Sequence, residues 1–226
     1  MLKDFVSIIF PEYCRACLGP LERNEPYICT TCRFSLPRTN SHLTEMTALT
    51  HRFWGRVPIW HSLAYLKFTK GGTVQQLLHQ LKYNDQREIG ETLGQWYGFE
   101  LTEHGFAEKF DLILPVPLHA SKLRKRGYNQ SDCFAKGLSE GMRVAWSPDV
   151  LRRTVATPTQ TKKKRLERWQ NVDAVFEVTN EDFLRGKRIL LVDDVVTTGA
   201  TLEACAQELY RVACAAVSIA TIAATT

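Results

Sequence analysis

The sequence predicts an α/β fold, a parallel sheet flanked by helices, and three observations carry that prediction. Two short apolar runs, Leu112–Leu114 and Ile189–Val192, lack polar alternation and are too short for helices, as expected of strands buried on both faces. Each run leads through small, polar or basic residues into apolar residues at helical spacing: Phe134 and Leu138 after the first, Leu202, Cys205, Ala206 and Leu209 after the second. A third stretch, roughly Ala213–Ile222, is apolar and β-branched and reads as a closing strand.

A chain of 226 residues can hold one domain or two and bury a sizeable core. Its longest apolar runs fall well short of the roughly 18 residues that a membrane span requires. Phe5–Phe10 is too short and too poorly flanked for an export signal, so the expectation is a cytoplasmic protein with no membrane contact. Leu2, Phe5, Val6 and Ile9 fit one face of a short helix.

Two Cys-x-x-Cys knuckles follow, Cys14/Cys17 and Cys29/Cys32, separated by eleven residues. Four thiolates presented by two tight turns suit a tetrahedral zinc ion. Disulfides are disfavoured without an export signal, and a redox pair needs only one knuckle. Such a closed site is structural, standing in for a core that so short a segment cannot build. Cys133, Cys205 and Cys214 read as small buried apolar residues. Pro37–Pro58 is polar and turn-rich and reads as a linker with some packing of its own; its His42 and His51 have no ligand spacing. Residues 1–58 are expected to form a zinc-ribbon unit and linker, and residues 59–226 the main domain.

Ile59–Phe68 is a strand candidate ended by Gly71-Gly72, and Val74, Leu77, Leu78 and Leu81 mark a helix face. That helix ends at Lys82-Tyr83-Asn84-Asp85, a cationic tip able to line a cleft. Ile89, Leu93, Trp96, Tyr97 and Leu101 mark the next helix. After the strand near 111, Pro115 and Pro117 stiffen the exit. Lys122, Arg124, Lys125 and Arg126 then form an anion-binding loop at a strand's carboxyl end, with Gly127 turning the chain before a helix. Further strands are expected near 150 and 173, joining those near 111 and 188 in one sheet. Between them Val155–Gln170 is basic, lacks an apolar stripe and contains Gln160 and Arg165.

The run Ile189–Thr201 carries the most chemistry. A buried strand puts Asp193 and Asp194 at its carboxyl end, where open parallel sheets bind ligands. Val195 and Val196 lead into Thr197, Thr198, Gly199, Ala200 and Thr201, a small-residue loop running into a helix start. Free backbone N–H groups and the helix dipole there favour phosphate. Two adjacent carboxylates suit ribose hydroxyls or hydrated magnesium. Charge agrees: of a net +5, Leu118–Gln130 and Leu151–Gln170 together contribute +10, leaving the rest net negative, so cations gather where a polyanion would sit.

The Ile189–Thr201 run resembles the signature of type I phosphoribosyltransferases. Together with the knuckles, Pro115-Val-Pro-Leu118, Arg126-Gly-Tyr-Asn-Gln130 and the basic segment, the whole chain resembles the ComF family (ComFC or GntX-like proteins). The resemblance implies a phosphoribosyltransferase-like domain binding phosphoribosyl pyrophosphate with magnesium. Asp193 and Asp194 would hold the ribose hydroxyls, residues 195–201 the 5-phosphate, and Arg126, Gly127 and their neighbours the pyrophosphate. Lys82 would line the ligand cleft. Gln160 and Arg165 would belong to a catalytic lid that excludes water. Catalysis would be pentosyl transfer to an unspecified acceptor, resting on positioning and electrostatics. The family also implies a role in competence and DNA uptake. The alternative is a non-catalytic module that binds single-stranded DNA or a competence helicase partner through a ligand-sensing or vestigial phosphoribosyl site; a nucleobase salvage enzyme is a third reading.

Overall fold

In a computed structural model, described for residues 12–44, 48–154 and 175–225, four parallel strands form the central sheet. They are β1 (Ser62–Phe68), β2 (Leu112–Pro115), β5 (Arg188–Val196) and β6 (Ala216–Thr225), in the order β1-β6-β5-β2. Leu190 and Val192 of β5 face one hydrophobic cluster, while Ile189 and Leu191 face the other. This alternation explains the unbroken apolar run: both faces are covered, so neither register carries polar residues.

Helices α3 (Thr73–Tyr83), α4 (Arg87–Glu103) and α6 (Gln130–Met142) bury apolar residues in the first cluster. Helix α8 (Ala200–Arg211) buries Leu202, Cys205, Ala206 and Leu209 in the second, as its spacing predicts. Helices α4 and α6 touch along glycines. A Cβ at Gly94 would lie 2.4 Å from the Phe134 carbonyl oxygen, and one at Gly137 would lie 2.1 Å from that of Glu91. The pair therefore packs backbone to backbone, with no room for a methyl group.

The expected strands near 150 and 173 do not join the sheet. β3 (Leu151–Arg153) and β4 (Phe176–Val178) pair antiparallel as a separate two-stranded ribbon. The place beside β2 is taken by a single parallel bridge from Ile113 to Trp146. Ile113 N–H donates to the Ala145 carbonyl (2.8 Å), and Ser147 N–H donates to that of Ile113 (3.1 Å). The chain moves away after Ser147, so three-residue β3 finds a partner outside the sheet.

At the opposite edge, Arg38 bridges Leu66 of β1 antiparallel. Lys67 N–H donates to Pro37 (2.7 Å), Thr39 N–H to Tyr65 (3.0 Å), and Ala64 N–H to Ser41 Oγ (2.8 Å). The knuckle residues Cys14, Ala16, Ile28, Cys32 and Leu36 share the first cluster with Leu63 and Tyr65. Leu49 of α2 (Ala48–His51), with Phe53 and Val57, enters the second. Pro37–Pro58, expected as a linker with some packing of its own, packs on the sheet in its described parts.

Candidate functional site

The acidic pair stands within β5 rather than beyond it, because pairing with β6 continues through Val195 and Val196. Asp193 Oδ1 accepts from Ser131 Oγ (3.0 Å) and from Asp194 N–H (2.8 Å). Lys82 Nζ lies 2.9 Å from Asp194 Oδ2. Burial first, and then the Asp194 charge beside it, pushes the Asp193 carboxyl up to about 7. Lys82 and the Ser131 hydroxyl oppose that rise.

The Tyr128-Asn-Gln-Ser131 run explains how these groups meet. Tyr128 hydroxyl donates to the Leu81 carbonyl and so fixes the end of α3 that carries Lys82. Asn129 caps α6: its Oδ1 accepts from Ser131 N–H (3.2 Å), and its Nδ2 donates to the Val116 carbonyl (3.0 Å). Gln130 Oε1 accepts from Arg126. All four residues from Tyr128 to Ser131 are buried. The run therefore joins the β2 exit, α3 and β5 at one point.

The basic stretch before it is a helix, not the expected loop. α5 spans Ala120–Arg126, opened by His119 accepting from Ser121 N–H (3.2 Å) and closed by Gly127 at φ 82°. That left-handed conformation is why glycine stands there. Without an acidic or apolar stripe, the helix is legible only once its caps are seen.

A cleft of about 240 Å3 is lined by Lys82, Tyr83, Lys122, Arg126, Asn129, Gln130, Ser131, Arg153, Asp193, Asp194 and Thr201, among others. The acidic pair, the helix start after the threonine loop, and the cations of α3 and α5 thus border one space. Thr197, Thr198 and Thr201 are exposed, while Gly199 is buried against Phe53 at φ 81°. Val195 and Val196 belong to the strand, and Ala200 opens α8. Gly127 closes α5 beside the cleft. Gln160 and Arg165 lie outside the described residues.

Sequence reasoning missed the residues behind the loop. Arg52 donates to the carbonyls of Val196 (3.3 Å) and Thr197, and to the Thr225 carbonyl and hydroxyl (3.3 Å to the latter). Arg56 donates to the Thr198 carbonyl (3.5 Å) and pairs with Glu203. The available signal was Leu49, Phe53 and Val57 at four-residue steps, with Arg52 and Arg56 on the neighbouring face.

The sulfurs of Cys14, Cys17, Cys29 and Cys32 lie within 4.8 Å of one another, and those of Cys17 and Cys29 are 3.8 Å apart. Metal–sulfur bonds of about 2.3 Å in a tetrahedron put sulfurs roughly 3.8 Å apart, so the four can hold a metal ion. Ala16 N–H and Cys29 N–H point at Cys14 Sγ (3.4 and 3.3 Å), favouring the thiolate that metal binding needs. Among the described residues, no helix is long and apolar enough to cross a membrane.

A family model described as the phosphoribosyl transferase domain matches residues 133–225, which include α6 from Cys133 onward, β5, the threonine loop and α8. The chain is 30% identical over 224 residues to the DNA utilization protein YhgH of Escherichia coli (strain K12), covering 92% of this chain and 95% of that one. It is 24% identical to the competence protein ComFC of Bacillus subtilis (strain 168), covering 81% and 78% respectively. It is also 30% identical over 130 residues to competence protein F of Haemophilus influenzae (strain ATCC 51907 / DSM 11121 / KW20 / Rd), covering 56% and 57%. The protein belongs to the ComF family, within the phosphoribosyltransferase superfamily.

Proposed function

We propose that this protein binds phosphoribosyl pyrophosphate with magnesium in the 240 Å3 cleft and serves in DNA utilization or competence in the cytoplasm. One observation carries the reading: a carboxylate pair, Thr201 at the helix start and a cluster of cations border the same space. Asp193 and Asp194 would accept from the ribose hydroxyls. N–H groups of the 197–201 loop and of the first turn of α8, which lack intrahelical partners, would take the 5-phosphate. Lys82, Lys122 and Arg126 would hold the pyrophosphate. The hard carboxylate oxygens of Asp193 and Asp194 and the phosphates suit magnesium, which when bound offsets the charge of the departing pyrophosphate. The chain's own part in pentosyl transfer is orientation and electrostatic complementarity, with no protein nucleophile. In the knuckles we assign a structural zinc ion to Cys14, Cys17, Cys29 and Cys32. Names of relatives support the cellular context.

Calorimetry with phosphoribosyl pyrophosphate and magnesium tests the reading. The Asp193→Ala/Asp194→Ala double variant should bind at least about tenfold more weakly, since hydrogen bonds to charged groups contribute roughly 1.5–3 kcal/mol each. Equal affinity refutes the assignment.

A second reading, single-stranded DNA on the same face, is favoured by one observation. An adjoining hollow of about 400 Å3 is lined by Lys82, Tyr83, Asp85, Lys122, Lys125, Arg126 and Tyr128, with Arg126 5.5 Å from the exposed Tyr83 ring. Cations beside an exposed aromatic ring suit a nucleic-acid strand. DNA retention that falls steeply with salt would support it, and retention insensitive to salt would not.

A further inference from the structure

We infer that Arg52 and Arg56, braced by Phe53, are positioning residues that orient the N–H groups of the Thr197–Gly199 loop for the 5-phosphate. The inference rests on the proposed function and deepens it. A peptide unit is planar and trans, so its C=O and N–H point in opposite directions. Arg52 holds the carbonyls of Val196 (3.3 Å) and Thr197, and Arg56 holds that of Thr198 (3.5 Å). The N–H groups of Thr197, Thr198 and Gly199 belong to those same three peptide units. With their carbonyls drawn to the arginines, these three donors face the other way.

Phe53 sets the depth of the loop. A Cβ on Gly199 would meet two atoms of its ring at 2.9 Å, so ring and backbone are already in contact. Gly199 also takes φ 81°, which an L side chain adopts only with strain. Two further ties hold the clamp itself. Arg52 reaches the Thr225 carbonyl and hydroxyl at the end of β6, and Arg56 pairs with Glu203 in the first turn of α8. One guanidinium thus fastens the loop to the neighbouring strand, and the other fastens it to the helix that follows. Neither arginine touches the phosphate in this arrangement. Both act through the backbone, by keeping donors aimed before the ligand arrives, which lowers the ordering cost of binding.

The test is calorimetry on the full chain with three probes in magnesium: phosphoribosyl pyrophosphate, ribose 5-phosphate and inorganic pyrophosphate. Arg52→Ala should weaken ribose 5-phosphate and phosphoribosyl pyrophosphate by about tenfold and leave pyrophosphate unchanged, since only the loop end is disturbed. Arg56→Ala should do the same to a smaller extent. Arg52→Lys keeps the charge without the forked donors, and should recover only part of the loss. It also serves should Arg52→Ala fail to fold. Full 5-phosphate affinity in the folded variants overturns the inference while leaving the proposed function standing. Equal weakening of all three probes also overturns it, because that marks a general structural role. A wild-type protein that binds none of the probes overturns the proposed function and this inference together.

Discussion

Replacing Gly137 with alanine tests the packing that positions Ser131. A methyl at this point of α6 would lie 2.1 Å from the Glu91 carbonyl oxygen and 2.8 Å from the Gln95 nitrogen. Close carbon–oxygen contacts in proteins run at about 3.3–3.6 Å, so α4 and α6 must part locally by roughly 1 Å. Both obstacles are backbone, so no side-chain rotation relieves them. Two effects oppose each other. Alanine gains about 1 kcal/mol of helix propensity over glycine. Overpacking costs about 1–3 kcal/mol, and separating the helices also loosens Phe134 and Leu138 against Leu93 and Tyr97, which share one cluster. With both obstacles backbone, the overpacking cost stands at the top of its range, about 3 kcal/mol, so packing wins and we expect a net loss of about 2 kcal/mol. Urea unfolding followed by circular dichroism should show a lower midpoint with an unchanged slope. In a chain of this size, the thermal midpoint should fall by about 4–8 °C. Ser131 rides on the same helix, so ligand affinity should fall as well. A midpoint equal to or above that of the wild type would refute the reasoning.

Two further outcomes concern metal and pH. Purified protein should carry about one zinc ion per chain by mass spectrometry, and Cys14→Ser should lose both the ion and part of the thermal stability; full zinc content in that variant would exclude the assigned ligands. Asp193 has a folded value near 7, above its ordinary one, so the folded chain holds an extra proton across the window from the usual carboxylate range to about 7. Its contribution to stability therefore declines as pH rises through that window, while affinity for a ligand that needs both carboxylates ionised increases. Calorimetry at about pH 6 and pH 8 should show this gain in the wild type and a flatter profile in Asp193→Asn, which separates the carboxylate from titration of the ligand's own phosphates; matching profiles would remove Asp193 from the site.

The parts legible in the sequence were those whose chemistry is local. Ile189–Val192 read as a doubly buried strand because no polar residue interrupts it, and the α8 face read from Leu202, Cys205, Ala206 and Leu209. The knuckles and the acidic pair were visible as spacing alone. Arg52 was not, because its acceptors are backbone carbonyls as far as 144 and 173 residues along the chain, and a carbonyl carries no sequence signature. The three-residue strands β3 and β4 are too short for a pattern to say which partner they choose. The glycines of α4 and α6 were visible but ambiguous: in isolation they weaken a helix, and only the facing helix shows why they are there.

Both margins of the central sheet are already spoken for. Pro37, Thr39 and Ser41 take up main-chain groups of Ala64, Tyr65 and Lys67 on the β1 side, and Ala145 and Ser147 do so for Ile113 on the β2 side. A strand from a second molecule would have to evict one of these covers before it could add on. Among the described residues, the central sheet is thereby guarded against edge-to-edge growth.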